Sequence, residues 1–148
     1  MKRLLLDVNV VLDVLLDRDP WVDSAAGIWA LVETGGARGF IPAHGVTTIH
    51  YLLRKARGVA FADRATSDLL SVFGVARVDA DVLKAALSLR FPDFEDAVCV
   101  AAGQAARCDL VITRDPAGFR DSPLPAASAG EALIRLTPPA RPKPRRVD

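Results

Sequence analysis

The sequence predicts an α/β domain: a short, mainly parallel sheet with helices covering both faces. Three observations carry that expectation. The chain has 148 residues, close to the commonest size of a single domain. It is 51% hydrophobic and 25% charged, a globular rather than a disordered composition. Short strands that are apolar at nearly every position alternate with helix-length segments, the pattern of parallel strands buried on both faces.

The elements follow in order. Residues 3–7, RLLLD, read as a strand, apolar between charged ends, and residues 8–16 continue with helical spacing. A helix over 21–33 starts beyond Pro20 and stops at Gly35-Gly36. A strand is expected at 39–41, helices at 47–55 and 59–73, and a strand at 75–78. Residues 80–89 form a helix with Val82, Leu83, Ala86 and Leu87 on one side. An alanine-rich helix over 94–107 leads to the strand LVIT, 110–113, which ends at Arg114-Asp115. A short strand near 125–127 and a helix over 130–136 complete one domain, residues 1–136, with no internal repeat or linker.

Residues 137–148, TPPARPKPRRVD, read as a disordered basic tail. Four prolines remove helix and strand options. Four cations against one aspartate give the tail +3, leaving −2 for the body of a +1 chain. The tail is either a solubilising end or a weak electrostatic contact for RNA or an acidic partner. Bulk charge therefore gives no argument for nucleic acid. Cys99 and Cys108, if on one helix, lie about 13 Å apart along its axis, too far for a disulfide, and two cysteines are too few for a zinc site. The apolar opening carries two aspartates and an asparagine and no cleavage signal, and no membrane-length apolar run occurs, so a cytoplasmic location is expected.

The chemistry-bearing residues are acids at strand and helix ends. In open parallel sheets, ligands sit beyond the carboxyl ends of the strands where strand order reverses. Asp7 ends the first strand and Asp115 follows LVIT in the same way; if those strands flank the reversal, the two carboxylates meet. A third group, DFED, puts Asp93, Glu95 and Asp96 at the start of the alanine-rich helix, with Asp93 and Asp96 on one face. Each feature has an ordinary structural reading. Asp7 and Asp93 suit helix caps, and Asp115-Pro116 suits a turn. Together they gather charges that are costly unless a cation neutralises them. An all-carboxylate site suits Mg²⁺ or Mn²⁺, and its usual use is phosphoryl chemistry. There is no glycine-rich phosphate loop, no Ser-His-Asp pattern and no histidine pair at metal spacing.

LLLDVNVVLD, IPAHGVTTIHYLL, DFEDAVCVAA and VITRDPAGF, in that order over residues 3 to 136, resemble the PIN domain family, and more narrowly its VapC-type toxins. The resemblance implies a Rossmann-like three-layer α/β/α sandwich and a Mg²⁺- or Mn²⁺-dependent endoribonuclease. It also implies a cytoplasmic homodimer and a small antitoxin partner. It assigns metal binding to Asp7, Asp96 and Asp115, a supporting role to Asn9, and the orientation of a metal-bound water to Thr113. One departure stands out. Where many members carry a glutamate, this chain has Thr47 and Thr48. Asp93 or Glu95 would supply the missing charge, with Asp93 favoured because it shares a face with Asp96. Arg114 lies between Thr113 and Asp115, placed either to contact an RNA phosphate or to pair with a carboxylate. His44 and His50 read as ordinary packed or solvent-facing histidines. Trp21 and Trp29 read as core or interface rather than base-stacking platforms.

Two rival functions remain at this level. The first is a nuclease-fold protein without catalysis that binds RNA or an antitoxin, motivated by the missing glutamate. The second, a receiver-type phosphoacceptor, ranks low because no internal strand-end aspartate is followed by the lysine that such a fold needs.

Overall fold

A computed structural model describes residues 1–137. The tail expected at 137–148 lies outside the described residues, apart from Thr137. Strands β1 (Arg3–Leu6), β2 (Arg38–Pro42), β3 (Gly74–Ala76), β4 (Leu110–Ile112) and β5 (Ala126–Ala127) form one sheet in the order β3-β2-β1-β4-β5. Every pairing is parallel. Helices α1 (Val8–Leu15), α2 (Val22–Glu33), α3 (Ala43–Arg57), α4 (Val59–Val72), α5 (Ala80–Leu89), α6 (Phe94–Ala105) and α7 (Ala129–Leu136) supply the outer layers.

Period-two alternation along β1 divides the core. Leu4 and Leu6 enter a cluster with Val10, Ile28, Ile49, Leu53 and Leu69 from α1 to α4. Leu5 faces the other way, against Val82, Val98, Val100 and Ala101 from α5 and α6. All three leucines are essentially without solvent contact, which is why β1 reads as a continuous apolar run rather than an alternating one. On the second face α6 lies close to the sheet: a Cβ on Gly103 would fall 3.0 Å from Leu5 Cδ2. The small side chains of this helix permit that approach. Cys99 and Cys108 are buried free thiols, and burial raises both well above the ordinary thiol range, Cys108 to about 11. Among the described residues no helix is long and apolar enough to cross a membrane.

The structure moves several expected boundaries. Helix α3 begins at Ala43, not residue 47, directly after the strand residue Pro42. His44-Gly45 resembles loop sequence, yet Gly45 is helical; a Cβ there would lie 3.1 Å from Val8 Cγ2, so α1 and α3 pack closely at this point. Helix α6 ends at Ala105, two residues early, because Arg107 takes a left-handed conformation and the Cys108 amide bonds back to the Gly103 carbonyl at 2.8 Å. Asp115-Pro116, read as a simple turn, opens one turn of 3-10 helix, Pro116–Phe119.

Candidate active site

Strand order reverses between β1 and β4. Leu4, Leu5 and Leu6 pair with Leu110, Val111 and Ile112, and the ladder runs one step further, the Asp7 amide donating to the Ile112 carbonyl at 2.9 Å. The residues leaving the two strands therefore meet at their carboxyl ends. The Thr113 hydroxyl donates to Asp7 Oδ2 at 3.1 Å, and the Asp115 amide donates to the Thr113 hydroxyl oxygen at 3.3 Å. The other oxygen of Asp7, Oδ1, accepts the Val8 amide at 2.8 Å. Asp7 thus caps α1 and stands at the strand end, one oxygen for each role.

Asp96 enters from the first turn of α6. Asp93 is the N-cap of that helix, its Oδ1 accepting the Asp96 amide at 3.1 Å. Burial, and then the charges of Asp93, Asp7, Glu95 and Asp115, push the Asp96 carboxyl up to about 6. Burial likewise raises Asp7, against the hydrogen bonds from Thr113 and Val8; the charge of Asp93 raises it further, and His44 lowers it. Asp7, Asp93, Glu95, Asp96 and Asp115 therefore share one electrostatic field. His44, in the first turn of α3, lies within reach of that field, and its Nδ1 is buried without a hydrogen-bond partner.

The acids repel one another without closing into a ligand shell. Among the described residues no three histidine, cysteine or acidic groups surround a common point at metal-ligand distance. Asp7 and Asp93 are oriented by their own bonds instead. Such an open, all-oxygen set fits a hard divalent cation that retains several waters and takes one or two carboxylates directly. Burial of the charge and repulsion by the neighbouring carboxylates both lift Asp96, and such a cation would relieve both.

The remaining expected residues sort differently. Thr47 and Thr48 both donate to the His44 carbonyl, at 2.8 and 3.3 Å, so the helix turn itself takes up the hydroxyls that replace the glutamate. Glu95, His44, Thr47, Thr48 and Phe94 line a cleft of about 400 Å³. Asn9 is exposed on the first turn of α1. His50 pairs with Asp63 at 2.7 Å on the surface. Trp29 packs edge-on against Phe73, whereas Trp21 is exposed at the start of α2. Of the two readings of Arg114, the ion pair is the one present: its guanidinium forks onto Asp13, with Nε donating to Oδ2 at 2.9 Å and Nη2 to Oδ1. Sequence reasoning missed Asp13. The available signal was a charge at helical spacing with Val10 on the apolar side of α1.

Residues 3–117 match the family model of the PIN domain. No curated protein matches the chain. Among solved structures, VapBC2 from Rickettsia felis, bound to a DNA fragment from its promoter, is similar with a TM-score of 0.67 and 14% identity, over 85% of this chain and 98% of that one. VapC20 of Mycobacterium tuberculosis, a sarcin-ricin loop cleaving toxin, gives 0.65 and 18% over 80% and 94%. A toxin–antitoxin complex from Klebsiella pneumoniae gives 0.65 and 20% over 84% and 96%. At these identities the likeness is one of fold.

Proposed function

The chain belongs to the PIN domain family, and from that premise we propose that it is a Mg²⁺- or Mn²⁺-dependent endoribonuclease, the toxin of a toxin–antitoxin pair. The observation that carries the reading is the meeting of Asp7 and Thr113-Asp115 at the β1/β4 reversal, in one field with Asp93 and Asp96. Asp7, Asp96 and Asp115 would hold the cation. When bound, it supplies Lewis-acid polarisation of the phosphodiester and neutralises developing charge. The chain's own residues do the rest. Thr113 fixes the Asp7 carboxylate through its hydroxyl and accepts the Asp115 amide, so one side chain sets the angle between two acids. Asp93 holds the first turn of α6, and with it Asp96, by its cap. The cleft beside Glu95 and Phe94 offers an apolar wall for a base next to the scissile phosphate.

The likeness to VapBC2 and to a toxin–antitoxin complex supports a small antitoxin protein as partner. With that partner, a homodimeric state and action on cytoplasmic RNA belong to the same proposal. A second reading is favoured by one observation. The helix turn takes up both threonine hydroxyls at the glutamate position, leaving no fourth carboxylate on α3. On that reading the protein binds RNA or an antitoxin without cutting. Incubating a mixed RNA pool with the purified protein in Mg²⁺, Mn²⁺ or EDTA separates the two, with Asp7→Asn as control. Metal-dependent cleavage that is lost in the variant is expected. Folded, partner-free protein that cuts nothing with either metal, yet binds RNA equally well as the variant, would establish the second reading.

A further inference from the structure

Asp13 sits on the buried side of α1 and is 1% exposed. A carboxylate so placed is unfavourable unless it is paired and hydrogen-bonded. Its partner comes from 101 residues away. Arg114 donates Nε to Oδ2 at 2.9 Å and Nη2 to Oδ1, the two-pronged geometry that only a guanidinium provides. The Arg114 guanidinium carbon also lies 3.7 Å from the centroid of the Trp21 ring, and Arg18 adds a longer contact to Asp13 at 4.0 Å. Three segments meet there: α1, the start of α2, and the loop leaving β4.

Among the described residues two polar or charged side chains are buried, Asp13 and Thr113. Both grip the same three-residue segment. Thr113 ties it to Asp7 and to the Asp115 amide; Asp13 ties it through Arg114. Arg114 is flanked directly by the two residues that face the acids. Its backbone cannot shift without moving Thr113 and Asp115, and the fork to a fixed helix leaves it little freedom.

We infer that Asp13 is a positioning residue: through its buried ion pair with Arg114 it clamps the 113–115 loop and holds Thr113 and Asp115 against Asp7. Only the consequence for metal binding rests on the nuclease reading; the clamp itself does not. Residues that orient ligands in this way commonly alter metal affinity by about 10- to 100-fold when lost.

The test compares the wild type with Asp13→Asn, with Arg114→Lys, which keeps the charge but loses the fork and the stacking, and with the double variant Asp13→Leu/Arg114→Met. The double variant replaces both charges with apolar groups, so that no buried charge is orphaned and folding is preserved. Amide hydrogen exchange is measured without metal, and Mn²⁺ affinity by calorimetry. Residues 113–119 should exchange about 10-fold faster or more in each variant while β1 and β4 keep their protection. Mn²⁺ dissociation constants should rise about 10-fold. Unchanged exchange at 113–119, or equal acceleration across the whole sheet, overturns the clamp. Faster exchange with unchanged Mn²⁺ affinity overturns its link to the site. If the wild type binds no Mn²⁺ at all, the nuclease reading fails, and the exchange pattern still decides whether the pair clamps the loop.

Discussion

Replacing Asp96 with Asn should stabilise the metal-free protein at neutral pH, the opposite of what removing a buried polar contact usually does. The Asp96 carboxyl is pushed from 3.8 to about 6 by burial and four neighbouring carboxylates. The folded chain therefore holds that proton more tightly than the unfolded one. Stability from this group is greatest below pH 4 and falls as pH rises through the window from about 4 to about 6. Fully desolvated, a displacement of that size would correspond to about 3 kcal/mol at pH 7. The carboxyl is only partly buried, and solvent screening reduces this to about 1 kcal/mol. Asp96 also gains about 0.5 kcal/mol from the dipole of α6 as a first-turn acid, so Asp96→Asn should net about 0.5 kcal/mol of stabilisation at pH 7.5. Urea unfolding in EDTA at pH 7.5 and at pH 4 measures it. The variant should be the more stable at pH 7.5 and should lose that advantage at pH 4. Adding Mn²⁺ at pH 7.5 should then stabilise the wild type more than the variant. A variant less stable than the wild type by the same amount at both pH values would refute the reasoning, because burial and the neighbouring charges would then not raise the Asp96 carboxyl.

Three further outcomes follow from the packing around the site. A Cβ on Gly118 would lie 3.1 Å from Asp115 Oδ2, so Gly118→Ala should displace that carboxylate and weaken Mn²⁺ binding several-fold, while stability by urea titration changes by less than about 0.5 kcal/mol. Leu5→Ala empties a fully buried position beneath α6 and should cost about 3 kcal/mol in urea, with cleavage rates retained wherever the protein stays folded. Asp93→Asn keeps a capping side chain but removes the charge, and should lower metal-dependent cleavage about 10-fold, whereas Glu95→Gln should change it little. Full activity in both variants would mean that neither acid stands in for the glutamate absent at Thr47 and Thr48.

The parts of this fold that were legible in the sequence are those set by burial alone. Leu4 to Leu6 must be covered on both faces, and an apolar run without alternation says so before any coordinate does. The strand ends were legible for the same reason: Asp7 and Asp115 are the first acids after buried strands, and a parallel sheet delivers such residues to one edge. The alanine-rich run betrayed how near α6 lies to β1. Boundaries were less legible where a residue's role depends on a neighbour distant in sequence. Gly45 looks like a loop residue until Val8 is known to pack on it.

Asp13 illustrates the same limit at the site. A lone charge on the apolar face of α1 signals that some cation must meet it, but nothing local says which. Arg18 is the sequence neighbour, and it makes the 4.0 Å contact; Arg114, 101 residues away, makes the fork. Choosing between them requires knowing that β4 lies beside β1, which is the topological step that also creates the acidic site. The pair and the site share one cause. The crossover that sets Asp115 near Asp7 also carries Arg114 to Asp13, so the loop is loaded on one side by a repelling carboxylate cluster and on the other by an attractive ion pair. Mutual repulsion alone would spread the acids. With the loop anchored at Arg114, the same repulsion leaves an open set of oxygens that a divalent cation can draw together.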